Sequence, residues 1–176
     1  MRLFVALSIP DSVAQSLLLI QGGVPGAHWQ TREQLHLTLR FIGDVDGRQA
    51  NDIHDMLSAI SAPRFTLALH GAGEFGGKNP HALWAGVRDA APVNHLNRKI
   101  ETAMQRIGLD AETRKFTPHV TLARLRASPR ERVMDYVAAH ALYASPDFEV
   151  RDFALFSSAL TPNGSVYVPE TVYALT

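Results

Sequence analysis

The sequence predicts a mixed chain of strands and helices folded as two related lobes, because one pattern occurs in it twice. His36-Leu37-Thr38-Leu39 returns as His119-Val120-Thr121-Leu122. Phe65 follows His36 by 29 positions, as Phe148 follows His119, and Trp84 follows His36 by 48, as Tyr167 follows His119. The order strand, turn, helix, strand, hairpin, strand recurs around both. A repeat at this scale is an architectural signal and is weighed before any local motif.

Each element follows from local pattern. Arg2 to Ile9 has strand composition, and Pro10 opens a helix whose stripe is Val13, Leu17 and Ile20. Gly22 to Gly26 is a loop, and Leu35 to Ile42 a strand. After the turn Gly43–Gly47, a helix carries Ile53, Met56, Leu57 and Ile60 at helical spacing. Phe65 to Leu69 alternates as a strand, Gly71 to Gly77 reads as a hairpin connection, and His81 to Val87 is its second strand. Pro92 starts a helix that Gly108 ends. The second half then gives a strand from His119 to Leu125, a helix after Ser128-Pro129 and a strand from Phe148 to Phe156. A turn at Thr161–Gly164 precedes a last strand, in which Pro169 marks an edge or a break.

Composition narrows the function classes. The 176 residues suit a single bilobal domain spanning 1–176. Seventeen basic residues balance seventeen acidic ones, so any nucleic acid is met by a local site and not by a global basic field. The absence of Cys removes disulfides, thiolate metal sites and a Cys nucleophile, and fits a reducing compartment. The apolar start is interrupted at Ser8 and Pro10, unlike a signal peptide, and no apolar run reaches membrane-spanning length. A cytoplasmic protein is expected, with no membrane contact and no obligate protein partner. The glycine-rich stretch lacks the Gly-Lys-Ser/Thr ending of a phosphate loop, and no Gly-x-Ser-x-Gly elbow exists.

Six of the eight histidines sit in mixed contexts without a recurring partner. His36 and His119 stand apart because they are repeated with Thr38 and Thr121. In a strand, residues two apart share a face, so each motif offers an imidazole and a hydroxyl side by side over an apolar underside. No His-Glu-x-x-His or nearby carboxylate completes a metal set, so no metal and no cofactor are expected. Two imidazoles titrating near neutrality can act as base and acid, and two β-branched hydroxyls can hold phosphate oxygens. Hydrolysis of a strained cyclic phosphodiester needs both roles and no metal. The near symmetry of the motifs leaves open which histidine is which.

His36-Leu-Thr-Leu with Arg40-Phe41-Ile42-Gly43, and Lys115-Phe116-Thr117-Pro118 before His119-Val-Thr-Leu-Ala-Arg124, resemble the two signature motifs of the two-histidine phosphoesterase superfamily. Within it the chain is similar to the RNA 2′,3′-cyclic phosphodiesterases, also called 2′-5′ RNA ligase-like proteins. The opening Arg2-Leu-Phe-Val-Ala-Leu, Leu83-Trp84-Ala-Gly-Val and the stretch from Gly164 to Tyr167 extend the likeness over nearly the whole chain. The resemblance implies a bilobal α+β fold, with an antiparallel sheet flanked by helices in each lobe and the active site in the central cleft. It implies hydrolysis of RNA ends or nucleotides carrying a 2′,3′-cyclic phosphate to 2′-phosphomonoesters, with His36 as proton donor, His119 as proton acceptor and Thr38 and Thr121 on the phosphate.

Arg40, Phe41 and Arg124 are candidate substrate contacts. Arg40 has the strand parity of His36 and is expected to face the cleft or solvent. Strict alternation turns Phe41 and Arg124 away, and a β-bulge or strand end would return them. Core packing is the other reading of Phe41. Action on other small cyclic or 2′-5′-linked nucleotides, ligation, and non-catalytic binding of RNA ends are the alternative functions.

Overall fold

The computed structural model describes residues 1–176. In chain order the elements are β1 (Arg2–Ser8), α1 (Asp11–Leu19), β2 (Ala27–Trp29), a 3-10 turn (Arg32–Gln34), β3 (His36–Asp44), α2 (Gly47–Ser58), β4 (Phe65–Leu67), β5 (Leu69–Phe75), β6 (Ala82–Val87), α3 (Ala91–Arg106), β7 (Val120–Leu125), α4 (Arg130–Ala139), β8 (Phe148–Val150), β9 (Asp152–Thr161) and β10 (Gly164–Ala174). The fold is α+β with antiparallel pairing throughout, as expected. None of the helices is long and apolar enough to cross a membrane.

Two four-stranded halves, β10-β9-β1-β3 and β7-β6-β5 with β2 on β7, are joined into one eight-stranded sheet. The join is slender: β3 meets β7 at the single pair Leu37↔Val120. Below it lies one continuous core, in which Leu37, Val120, Ile53, Leu57, Val93 and Ile100 are fully buried. Each histidine strand also pairs with the strand that precedes a helix, β3 with β1 and β7 with β6.

The halves of the structure are not the halves of the sequence. The strand carrying His119 pairs with β6 from the first repeat, whereas β9 and β10 from the second repeat continue the half carrying His36. A two-stranded ribbon links the repeats again, with Leu67 of β4 opposite Phe148 of β8. The aromatics 29 positions after each histidine therefore open the two strands of one ribbon. To reach it, the two strands expected over Phe65–Leu69 and Phe148–Phe156 break at Ala68 and Arg151, each leaving a short first piece in the ribbon and a longer strand in the main sheet.

The glycine-rich connection is shorter than its composition suggests. β5 runs through Gly71 and Gly73, and only the residues from Gly76 form the turn. Gly71 sits at a register shift with φ of 71°. At Gly73 a β-carbon would lie 2.3 Å from the Trp84 ring, so this glycine is present for close approach of an indole and not for a loop. At the other edge, β10 shifts register at Pro169, where the missing N–H is tolerated. The helices use ordinary devices. Asp46 caps α2 by accepting from the Gln49 N–H at 2.8 Å, and the Gln49 side chain accepts from the Asp46 N–H at 3.0 Å.

Candidate active site

The pair Leu37↔Val120 fixes the centre of the molecule. Both side chains are fully buried on the core side. Continuing that antiparallel register by one residue each way points His36 toward Thr121 and Thr38 toward His119, all on the face opposite the core. All four are half-buried.

Each imidazole is oriented by the same contact. His36 Nδ1 lies 2.7 Å from the Gln34 carbonyl, and His119 Nδ1 lies 2.6 Å from the Thr117 carbonyl. A carbonyl oxygen only accepts, so Nδ1 carries the proton in both rings and Nε2 is left to the cleft. His36 Nε2 is 2.9 Å from Thr38 Oγ1, whose hydroxyl donates to it in the neutral ring. Gln34 is itself held: its side chain closes a capping box with Thr31 and donates to the Ser165 carbonyl at 3.0 Å.

Aromatic walls surround both rings. Tyr167 meets His36 edge-on at 5.1 Å and Phe4 lies 4.9 Å away; Phe75 meets His119 edge-on at 4.9 Å and Trp84 lies 5.8 Å away. Tyr167 belongs to the repeat of His119, and Trp84 to the repeat of His36. Each histidine is therefore walled by the other repeat's aromatic. The spacing of 48 positions pointed to Trp84 and Tyr167 without giving them a place; Phe4 and Phe75 carried no sequence signal.

Burial disfavours the charged imidazole. It is the largest influence on His36 and brings its pKa down to about 4, with the Gln34 hydrogen bond opposing and the nearby charges of His119 and Arg124 adding to the fall. Burial also lowers His119, against its bond to Thr117. Both rings are neutral at neutral pH.

Matching β-bulges shape the rest of the site. On β3, Val5↔Arg40 is followed by Ala6↔Thr38, leaving Leu39 unmatched; on β7, Leu83↔Ala123 is followed by Trp84↔Thr121, leaving Leu122 unmatched. These are equivalent positions of the repeat. The Leu39 carbonyl accepts from Asn97 Nδ2 of α3, and the Leu122 carbonyl accepts from the Gln30 N–H, one step beyond the β2–β7 pairing, both at 2.8 Å. A one-residue insertion reverses facing. Phe41 and Arg124 consequently return to the histidine face, and both are exposed. Phe41 stacks parallel to Phe4, at 6.1 Å and 9°, with the Arg2 guanidinium 5.3 Å above its ring.

Arg40 borders the large cleft, yet its guanidinium is held by acidic neighbours instead of standing free in it. It is 8% exposed, its Nε is 3.3 Å from Glu101 and its Nη1 4.0 Å from Glu112, and Nη2 donates to the Asp110 carbonyl at 2.6 Å. The guanidinium ties β3 to α3 and to the segment that leads to Arg114 and Lys115. It is thus already engaged within the protein.

A cleft of about 600 Å³ is lined by Thr38, Arg40, Phe41, Phe75 and His119, with Arg114 and Lys115 at its rim. His36 lines a smaller neighbouring cavity of about 150 Å³ with Phe156 and Tyr167. No group of three or more His, Cys, Asp or Glu is placed to hold a metal ion.

Residues 10–161 match the family model of the 2′-5′ RNA ligase superfamily. The chain belongs to the 2′-5′ RNA ligase superfamily. Among curated members, it is 31% identical to an RNA 2′,3′-cyclic phosphodiesterase of Archaeoglobus fulgidus, over 95% of this chain and 96% of that one. It is 29% identical to one of Thermotoga maritima, over 95% and 91%. Its fold is that of the crystal structure of TT0787 of Thermus thermophilus, with a TM-score of 0.83, 24% identity, and 99% and 97% of the two chains covered. The matched residues span both histidine motifs.

Proposed function

We propose that this member of the superfamily hydrolyses RNA ends carrying a 2′,3′-cyclic phosphate to 2′-phosphomonoesters, without metal, with His119 as base and His36 as acid. The observation that carries this reading is the facing register about Leu37↔Val120. It sets two imidazoles, each fixed through Nδ1, across from two hydroxyls. The names of the curated relatives support the substrate class.

In the reaction, His119 Nε2 takes a proton from water as its oxygen bonds to phosphorus. The bond from phosphorus to the 3′-oxygen breaks, and His36 Nε2–H delivers a proton to that oxygen. The 2′-phosphate remains on the ribose. Thr38 and Thr121 donate to the non-bridging oxygens, whose charge the site must hold. A lowered pKa suits His119, which must be neutral to act as base. His36 must gain a proton, and an anionic phosphate beside its ring favours that. Phe41, exposed on the cleft face, offers a stacking surface to the terminal base. A cytoplasmic site of action and independence of any protein partner fit the same reading.

The test is incubation with an RNA ending in a 2′,3′-cyclic phosphate. A 2′-phosphate product is expected, falling at least about 10²-fold in rate for His36→Ala and for His119→Ala with the fold intact. A 3′-phosphate product would reject the assigned leaving oxygen. Near-normal rates in either variant would reject the two-histidine mechanism.

A further inference from the structure

A second cavity of about 410 Å³ lies between α2 and α3. Its α3 side presents His95, Arg98, Lys99, Thr102 and Arg106, whose spacing is that of one helical face; Met56 and Ile60 give it an apolar floor. No carboxylate lines it. None of its three permanent cations forms a salt bridge, whereas Arg32, Arg40, Arg88, Arg114 and Arg151 all do. Lys99 Nζ donates to the Ser61 carbonyl, which holds its ammonium at the groove wall.

In a chain of zero net charge, like charges gathered on one face without counter-charges make a local positive potential. Arg98 and Arg106 stand about 12 Å apart along the helix, room for more than one phosphate. The same helix serves the cleft, because Asn97 and Glu101 line it from the adjoining face of α3. Cations above an apolar floor suit a single strand, with phosphates on the cations and sugar or base on the floor.

We propose that the α2–α3 groove binds the phosphodiester backbone of the RNA whose end lies in the cleft. This rests on the reading of the cleft as an RNA-end site. The groove holds the body of a long substrate and takes no part in the chemistry. It contributes to KM for long RNA and nothing to short substrates.

The test compares an RNA of about twenty nucleotides with a dinucleotide, both ending in a 2′,3′-cyclic phosphate, across a range of salt concentrations. The variants are Arg98→Glu with Arg106→Glu, both exposed, and, as a charge-matched control, Arg48→Glu with Arg130→Glu, exposed on α2 and α4 outside the groove. For the groove variant, KM for the long RNA is expected to rise about tenfold or more. Its salt dependence should become shallower by about 0.7 in log–log slope per lost contact, with kcat and the dinucleotide kinetics unchanged. A long-RNA KM within twofold of wild type, or an equal rise in the control, overturns the proposal. If wild type hydrolyses neither substrate, the catalytic reading fails, and the groove is judged by fluorescence anisotropy with the same long RNA. There a tenfold weaker binding confined to the groove variant upholds it, and equal affinities overturn it.

Discussion

At His36 the imidazole is gripped by the Gln34 carbonyl on one side and the Thr38 hydroxyl on the other, within a wall of Phe4, Phe156 and Tyr167. With a folded pKa of about 4 against an ordinary 6.5, the native ring refuses a proton that the unfolded chain accepts. Its contribution to stability is present above about pH 6.5 and is lost as pH falls toward 4, a change of about 3 kcal/mol. In the proposed mechanism the same ring must be protonated to act as the acid. Binding of a 2′-phosphate nucleotide at pH 7 is therefore expected to take up close to one proton. Calorimetry in two buffers of different ionisation enthalpy measures this, and His36→Gln should abolish the difference. Heats independent of buffer would mean that His36 is not the group facing the phosphate. The identity of these residues was legible because a His-x-Thr pair recurring in register is rare. The shift was not, because burial belongs to the folded chain.

At the scale of single elements, the decisive feature is the extra residue in β3 and β7. Alternation alone turns Phe41 and Arg124 from the histidine face; the bulges at Leu39 and Leu122 return both to it and leave Arg40 buried against Glu101 at the edge of the cleft. Nothing in the local pattern announces them, since Leu39 and Leu122 are apolar and fully compatible with a regular strand. Asn97 on α3 and Gln30 before the 3-10 turn satisfy the carbonyls of the two extra residues. Arg40→Met then removes the partner of Glu101 inside the protein. A stability loss of about 3 kcal/mol by urea unfolding is expected. Arg40→Lys should restore little, because an ammonium cannot serve Glu101 and the Asp110 carbonyl through one planar fork. If Arg40 instead held substrate, stability would be unchanged and KM alone would rise.

Over the whole molecule, the two repeats exchange their parts. Each His-x-Thr strand is completed by a hairpin or wall from the other repeat, and the ribbon of β4 and β8 ties them once more. In the proposed mechanism, a site assembled from both repeats supplies acid and base through protein groups alone. Hydrolysis is therefore expected to proceed at an unchanged rate in excess EDTA. Loss of activity on chelation, restored by a divalent ion, would require a metal role for the imidazoles.

By itself the sequence determined the inventory: an α+β chain, an internal repeat, two histidines with two threonines, and a resemblance that names their chemistry. Those properties are written in residue type and spacing, which a linear reading preserves. Tertiary structure decided which repeat walls which histidine, that the two halves join at one residue pair, and which way Arg40, Phe41 and Arg124 point. Each depends on contacts between residues distant in the chain. Strand order sets the first, the Leu37↔Val120 contact the second, and donors from other segments satisfy the carbonyls at the bulges behind the third.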